Sequence, residues 1–401
     1  MADYLWRLRR DSGTRISKNN DERFNSKNFK NNLDIMKLLI LRCLLLAAIT
    51  YSTTINACSA FLLKGKDHCV IGFNENWKTM PGMIVVNKRD IAKRNISWEN
   101  LTTENLNSKK TWTSKYGSVT FNLLGYDFPC YGVNEKGLFL VELYLEETTK
   151  VNNPKQPDLF WAQWIQYQLD NYKSVKEVVD HLNDGPNIDW WPNAAGSHFF
   201  LTDAKGNTAT IALLDGKYKV LTDKDMPMPL LCNNQYKKDL EATQKYDFLG
   251  GTEKYDFTQR KNWEDRYSRA FYMLKNYKYD QKPVDYAWSI LNSVYAGEWQ
   301  TVIDVKNMNL YFRSDLKQEI KSINIKELDF SKNADVKFLD IHTDHLGKVN
   351  QNFQPLTLKK NNEYVEKGFP IGYDNKDFGT SEMFVTLKEN IKKFFRSVLP
   401  D

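Results

Sequence analysis

Short apolar runs alternate with polar turns along the chain directly after residue 57, a pattern typical of strands joined by turns. This alternation predicts a hairpin over 58–74 with its turn at 64–67. Further strands are expected over 83–87 and 118–122, and the run 131–141 predicts two strands around a turn. A chain that enters a sheet at its first strand would carry the chemistry of its first residues at one edge of that sheet.

Apolar positions three and four residues apart replace this alternation from residue 160 onward. They predict helices over 160–169 and 174–182, the second capped by Ser174 with Glu177 three residues later. Strands return over 199–202 and 208–220, where Asp215-Gly216 predicts a tight hairpin turn. The remaining segments are expected to be helices over 262–275 and 284–295, a hairpin over 301–312, and a polar, weakly patterned tail from 325 with a helix over 385–398. The order predicts one α+β domain over 58–401, with helices covering mixed sheets.

The stretch before residue 58 has the pattern of an export signal. Met36 begins a basic start and an apolar run, and the small residue Ala57 stands where a signal peptidase would cut. We therefore interpret residues 36–57 as a signal peptide, and the mature protein is expected to be secreted or periplasmic, or lysosomal or extracellular in a eukaryote. The hydrophilic residues 1–35 are interpreted as a gene-model extension or as a basic leader.

The composition narrows the possible partners. A net charge of +6 comes from scattered rather than clustered lysines, which disfavours nucleic-acid binding. No segment after residue 58 has the length of a membrane helix, and neither a CxxC pair nor a Gly-rich phosphate loop is present, so no metal or cofactor is expected. Cys69, Cys130 and Cys232 could form a disulfide after export, and Asn95 and Asn100 open glycosylation sequons.

Cys58 is the main candidate for chemistry. Cleavage after Ala57 would leave it as the first residue, with a thiol and a free α-amine of near-neutral pKa on one residue. A nucleophile and its base would then be paired without a second side chain. Three alternatives remain open: a cysteine destined for a disulfide, a lipoprotein anchor with an acylated Cys58, or a cut at a neighbouring bond that leaves Cys58 internal.

Five short stretches, in order from Cys58 to about residue 330, resemble the choloylglycine hydrolase family of linear amide C–N hydrolases, which includes penicillin V acylases and bile salt hydrolases. This resemblance implies an N-terminal nucleophile hydrolase with a four-layer αββα sandwich. The stretches are Cys58-Ser59-Ala60-Phe61, Gly72-Phe73-Asn74-Glu75-Asn76-Trp77, Gly132-Val133-Asn134-Glu135-Lys136-Gly137-Leu138, Leu231-Cys232-Asn233-Asn234 and Asp265-Arg266-Tyr267-Ser268-Arg269-Ala270.

The same resemblance implies roles for individual residues. Cys58 would attack the amide carbonyl and form an acyl-thioester, with its α-amine as general base and acid. Asn233 and Asn134 would donate to the oxyanion, and Arg266 would keep positive charge near the thiol. Without the family, both asparagines would be interpreted as turn residues and Arg266 as a surface charge.

The second stretch departs from the family pattern. Phe73 stands where the family has arginine, and Asn76 stands where it has aspartate, so the α-amine loses a negative partner and its pKa should fall. Lys78 or Arg266 could partly compensate for the lost cation. The phenylalanines Phe73, Phe121 and Phe128 are expected to line an apolar acyl pocket.

The expected function is therefore hydrolysis of a linear amide in an N-acylated small molecule by an exported enzyme, with homo-oligomerisation in keeping with the family. The alternatives are a secreted ligand-binding descendant without activity and a lipid-anchored envelope protein. Two further histidine patterns are weaker indications of a site. His342, Asp344 and His345 are interpreted as a loop without a metal, and His198 lacks the flanking sequence of a cysteine–histidine dyad.

Overall fold

The computed structural model describes residues 58–76, 80–103, 111–190, 196–258, 265–294, 297–372, 381–396 and 399. The predicted leader and signal peptide, and with them residues 1–57, lie outside this range, as does Lys78. Nothing in the described part therefore bears on the export signal or on cleavage after Ala57.

The described strands form two large sheets and two small two-stranded ones. The first large sheet has the order β14-β1-β2-β15-β16-β17-β19, and the expected hairpin of β1 and β2 lies within it. Neighbouring strands in it are antiparallel except β17 and β19. The bounds are β1 Ser59–Lys64, β2 Cys69–Glu75, β14 Leu230–Leu231, β15 Trp299–Asp304, β16 Asn309–Ser314, β17 Lys321–Asn324 and β19 Gly347–Lys348.

The second large sheet is antiparallel throughout its described strands, with the order β13-β12-β11-β8-β7-β6-β3-β18-β20. Its bounds are β3 Met83–Asn87, β6 Ser118–Asn122, β7 Pro129–Asn134, β8 Phe139–Tyr144, β11 Ser197–Thr202, β12 Thr208–Leu214, β13 Lys217–Thr222, β18 Lys337–Asp340 and β20 Gln354–Pro355. The small sheets pair β4 Ala92–Arg94 with β5 Thr111–Thr113, and β9 Asp158–Phe160 with β10 Asn187–Asp189.

The helices flank these sheets. Their bounds are α1 Trp98–Thr102, α2 Trp161–Asn171, α3 Val175–Asp180, α4 Tyr236–Gln244, α5 Arg266–Lys275, α6 Pro283–Ser293, α7 Leu358–Gly372 and α8 Ser381–Arg396. Helix α2 packs against β7 and β8 of the second sheet, and α6 packs against β2 and β15 of the first. The predicted helices from residue 160 onward are thus confirmed, with shifted ends.

The two large sheets pack face to face. The Tyr131 hydroxyl on β7 lies 2.9 Å from Thr301 Oγ1 on β15, and the Phe73 ring centroid lies 4.7 Å from that of Tyr131. Phe121 likewise reaches Phe312 across the gap at 6.3 Å. Buried aromatic rings therefore fill the space between the sheets, and helices cover their outer faces. This arrangement confirms the predicted αββα sandwich.

Backbone conformation explains the predicted turn between β12 and β13. Asp215 has φ of 54° and Gly216 has φ of 69°, as two consecutive left-handed residues require in a tight hairpin. Asparagine, aspartate and glycine adopt this region most readily, so the turn could be predicted from two neighbouring residues.

The C-terminal segment differs from its prediction. The chain after residue 325 is not a weakly patterned tail, because β18 pairs with β3 inside the second sheet and α7 and α8 pack against each other. Phe394 and Phe395 of α8 contact Phe128, at centroid distances of 6.1 and 5.3 Å. Within the described ranges, no helix combines the length and apolarity needed to cross a bilayer.

Candidate active site

Cys58 lies immediately before β1, and it is almost completely buried, with 4% of its surface exposed. Ser59 pairs with Asn74 of β2, so Cys58 lies beside Glu75, where β2 ends. Because side chains alternate along a strand, Phe73 and Glu75 point to the same face as Cys58, between the two sheets. The Cys58 thiol donates a hydrogen bond to Glu75 Oε1 at 3.7 Å.

Asn74 points to the other face of β2 and fixes the strand to a helix. Its Nδ2 donates to the Leu291 carbonyl of α6 at 3.3 Å, and its Oδ1 accepts from Gln300 Nε2 at 2.8 Å. These buried bonds hold β2 and β15 in register with α6. They therefore position Glu75, one residue further along β2.

A second carboxyl, Glu142 on β8, interacts electrostatically with both Cys58 and Glu75. It accepts a hydrogen bond from the Ser197 hydroxyl. Burial raises the pKa of Glu142 to about 7, although the Ser197 bond opposes the shift. Burial, followed by the charges of Glu142 and Glu298, raises the pKa of Glu75 well above its usual range.

The environment of the Cys58 thiol favours its neutral form. Burial and then the charge of Glu75 raise its pKa well above the ordinary value. A hydrogen bond from the Asn76 backbone N–H and the charge of Arg266 act in the opposite direction but are smaller. Since the thiolate is the nucleophile, the site must remove the thiol proton during the reaction rather than before it.

Asn233 follows β14, the strand next to β1, and lies beside Arg266 at the start of α5. Arg266 Nη2 donates to Asn233 Oδ1 at 2.7 Å, and Asn233 Nδ2 donates to the Tyr144 carbonyl at 3.0 Å. The side chains of Asn233 and Arg266 are thereby held in place by the ends of β14 and β8 and by α5. An amide nitrogen carries two protons, so Asn233 keeps one N–H beyond the bond to Tyr144.

Asn134 lies at the end of β7, and the N–H and C=O groups of its side chain all form hydrogen bonds within the fold. Its Nδ2 donates to the carbonyls of Leu169 and Tyr172 at 2.8 and 2.7 Å, and its Oδ1 accepts from the backbone of Lys136 and Leu138. Both amide protons are therefore committed to the end of α2. No side-chain N–H of Asn134 is left for a substrate in this arrangement, and the oxyanion role expected from the family stays a prediction.

Comparisons with known proteins agree with this geometry. A sequence profile described as linear amide C–N hydrolases, choloylglycine hydrolase family, matches residues 58–339, which is most of the chain and begins at Cys58 itself. The chain belongs to the choloylglycine hydrolase family. It is therefore a linear amide C–N hydrolase acting on acylated substrates, as the resemblance predicted.

Individual relatives support the same assignment. Penicillin V acylase of Pectobacterium atrosepticum is 26% identical over 291 residues, which cover 61% of this chain and 77% of the relative. The structure of penicillin V acylase from Agrobacterium tumefaciens has a TM-score of 0.63 and 27% identity, covering 75% of this chain and 98% of its own. The conjugated bile acid hydrolase of Clostridium perfringens, at 16% identity and a TM-score of 0.57, covers 72% of this chain and 98% of its own and shares the fold.

In this member of the family, the two unusual positions lie on either side of Glu75. Phe73 is completely buried and packs against Tyr131, so an aromatic ring occupies the face of β2 where the family has arginine. Asn76 is buried next to the thiol, and its Nδ2 finds no hydrogen-bond partner within the described part of the chain. Arg266 remains as a cation near Cys58, while Lys78 falls outside the described residues.

The three phenylalanines expected in an acyl pocket do not form one group. Phe73 and Phe121 both contact Tyr131, the latter stacked at 4.3 Å between centroids. Phe128 instead packs against Phe160 and the C-terminal helix α8. A substrate-binding role thus remains a prediction, and Phe73 is the best placed of the three because it shares the face of Cys58.

Three residues at this site were not predicted from the sequence: Glu75, Glu142 and Tyr144. Glu75 lies at the variable position of the second family stretch, residues 72–77. Because it follows Phe73 by two residues on the same strand, the sequence could have indicated that it faces inward. Glu142 and Tyr144 lie on β8, and their proximity to β1 depends on how the sheets stack. No local pattern indicated it.

The alternative sites have other surroundings. Cys58, Cys69, Cys130 and Cys232 are all free and buried, so the optional disulfide among the last three is not formed. His198 faces the backbone of Cys232, and burial lowers its pKa to about 4, which does not suit a base for Cys58. The ring nitrogens of His342 contact Ser314 Oγ and the Met80 carbonyl, and Asp344 pairs with Lys317.

Proposed function

We propose that this protein is an exported hydrolase that cleaves the linear amide of an N-acylated small molecule through an acyl-thioester on Cys58. The observation that carries the proposal is the buried thiol at the head of β1, at the first residue of the family match. The signal-like pattern ending at Ala57 supports a cut that would make Cys58 the N-terminal residue.

The proposed reaction uses the groups around Cys58 in order. The thiol proton moves to the free α-amine as Sγ attacks the carbonyl carbon, and the oxyanion accepts the remaining N–H of Asn233. Arg266 holds the Asn233 oxygen at 2.7 Å, which directs that amide. The C–N bond then breaks, the leaving nitrogen takes the proton from the α-ammonium, and water hydrolyses the thioester by the same route.

The named activities of the relatives suggest the substrate panel. Penicillin V is the first candidate because two relatives are penicillin V acylases. Conjugated bile acids, N-acyl amino acids and acyl homoserine lactones complete the panel, since each presents an acyl group on a linear amide. Phe73 in place of a cation favours an uncharged acyl group at this face of the site.

The decisive experiment combines intact mass, N-terminal sequencing and substrate turnover. We expect the exported chain to begin at an unmodified Cys58, to hydrolyse a panel member and to show a transient acyl adduct on Cys58. Cys58→Ala should abolish turnover and adduct, whereas Cys69→Ala, another buried free cysteine, should retain both. A chain that starts elsewhere or carries lipid on Cys58 contradicts the proposal.

The absence of the family arginine and aspartate favours one competing function, ligand binding without turnover. That alternative predicts binding of a panel compound that survives Cys58→Ala and no acyl adduct on the wild-type protein. Isothermal titration beside the mass measurement distinguishes the two outcomes.

A further inference from the structure

Glu75 is a buried carboxyl in direct contact with the proposed nucleophile. Glu75 is 8% exposed, and its Oε1 accepts a hydrogen bond from the Cys58 thiol at 3.7 Å. The second oxygen, Oε2, is buried and has no hydrogen-bond partner among the residues that the structure describes. Buried carboxylate oxygens normally have donors, so this one indicates a donor that arrives at the site.

The α-amine of a processed Cys58 is such a donor. The nitrogen and sulfur of one cysteine are three bonds apart, roughly 3 to 4 Å. With Sγ at 3.7 Å from Glu75 Oε1, the amine must lie no further than about 8 Å from this oxygen. At such distances an ammonium and a carboxylate stabilise each other strongly in a buried site.

We propose that Glu75 and the α-amine of Cys58 form one proton-holding pair, in which Glu75 supplies the carboxyl that is absent at Asn76. The inference rests on the proposed function, because it requires a chain that begins at Cys58. The acidic group thereby moves by one residue relative to the family pattern and comes to contact the thiol itself.

The proton inventory of the pair is balanced through the reaction. Before attack, the carboxyl and the amine share one proton, as carboxylate with ammonium or as carboxylic acid with amine. When Sγ bonds to the carbonyl carbon, the thiol proton joins the pair, which then holds two. Cleavage of the C–N bond returns one proton to the leaving nitrogen, and the attacking water supplies the proton for the reverse transfer during thioester hydrolysis.

The surroundings make this pair responsive. The titratable and charged groups that face Glu75 and the thiol from the packed elements are Cys58 before β1, Glu142 on β8, Cys130 and Tyr131 on β7, Glu298 before β15, and Arg266 on α5. Burial and two neighbouring carboxyls raise the pKa of Glu75, while a nearby ammonium would favour its charged form. The titration therefore belongs to the pair rather than to either group.

The first arm of the test is kinetic, on the processed protein with its N-terminus checked by mass. Glu75→Gln keeps the shape and one acceptor oxygen but removes the ionisable group. We expect kcat/KM for the best panel substrate to fall by roughly 100-fold. Asn76→Asp in the Glu75→Gln background should recover at least about 10-fold, because it restores a carboxyl next to the same amine.

The second arm does not depend on turnover. Iodoacetamide alkylation of the Cys58 peptide is followed against pH by mass spectrometry. Loss of the Glu75 charge should move the midpoint to lower pH, since that charge raises the thiol pKa. Glu241→Gln, an exposed substitution on α4, should leave the midpoint unchanged.

The two arms separate the possible failures. A Glu75→Gln protein with wild-type kcat/KM and an unmoved alkylation midpoint overturns the pair. The pair is also overturned if Glu75→Gln folds but loses turnover, Asn76→Asp does not recover the turnover, and the alkylation midpoint is unchanged. Glu75 then has a purely structural role. If the wild type turns over no panel member, the proposed function fails, and the alkylation shift alone decides whether Glu75 is coupled to the thiol.

Discussion

Asn134 and Asn233 are two buried asparagines that the structure uses differently. Asn134 donates both amide protons to carbonyls at the end of α2, and its side-chain oxygen accepts from the turn between β7 and β8. Asn233 bridges Arg266 and Tyr144 next to Cys58. Residue type alone therefore does not separate a structural amide from one available to a substrate; the partners of its N–H groups do.

The two roles predict opposite effects for the same substitution. Asn134→Ala leaves two carbonyls and two backbone N–H groups without their hydrogen-bond partner, and those of Leu169 and Leu138 are buried, so we expect a loss of about 3 kcal/mol in the free energy of unfolding. Asn233→Ala should lower kcat/KM by about 100-fold or more, with a stability loss of about 1 kcal/mol. Urea denaturation and steady-state kinetics on both variants provide the measurement. The reverse pattern would return Asn134 to the oxyanion site.

At the scale of elements, the C-terminal helices extend the structure beyond the family match, which ends at residue 339. Asn361 of α7 accepts a hydrogen bond from the Tyr126 backbone N–H at 2.8 Å, and Phe395 of α8 packs on Phe128. Both contacts hold the segment between β6 and β7, and Cys130 near the thiol follows directly. The helices therefore brace a loop that leads into the active site.

Phe395→Ala tests this brace. The side chain is completely buried, so its removal leaves a cavity, and we expect a loss of about 3 to 5 kcal/mol in the free energy of unfolding. Val385→Ala on the same helix is the matched control, because Val385 is 52% exposed and should change stability by less than about 0.5 kcal/mol. Equal effects of the two substitutions in urea denaturation would show that α8 does not support the core.

At the scale of the whole molecule, two buried titratable groups on adjacent strands oppose each other as pH changes. The Glu142 pKa is raised to about 7, chiefly by burial, so its contribution to stability is full below about pH 4.5 and is lost as pH rises through 7. The His198 pKa is lowered to about 4, chiefly by burial, so its contribution is absent below pH 4 and grows as pH rises through 6.5.

Glu142→Gln tests this opposition between the two groups. It removes the Glu142 contribution to stability, which falls as pH rises, and it preserves a hydrogen-bond acceptor for Ser197. Relative to the wild type, the variant should gain about 3 kcal/mol of stability between pH 4.5 and pH 7.5. Urea denaturation at several pH values gives the difference, and Glu241→Gln is the surface control. A difference that stays constant with pH would refute the burial of an ionisable Glu142.

The sequence by itself determined what depends on chain neighbours and on ordered motifs. The hairpin of β1 and β2, the Asp215-Gly216 turn and the helices after residue 160 follow from local sequence patterns, and all were confirmed. Five short motifs in order identified the family, and with it the αββα architecture and the class of reaction. The weak periodicity of the C-terminal segment gave no such signal, because β18 and α7 are stabilised by tertiary contacts with the rest of the domain.

Only the tertiary structure decided which polar groups meet. Glu142 and Tyr144 reach the site because β8 lies opposite the end of β1 when the two sheets stack, and neither residue is near Cys58 in the chain. The carbonyls that accept from the Asn134 amide lie at the end of α2, more than thirty positions further along the chain, and its local sequence did not indicate them. Strand alternation brings Glu75 to the thiol, but its burial and its charged neighbours arise from packing. The chemistry of a buried site depends on solvent exclusion and on distances across the fold, and local sequence patterns contain neither.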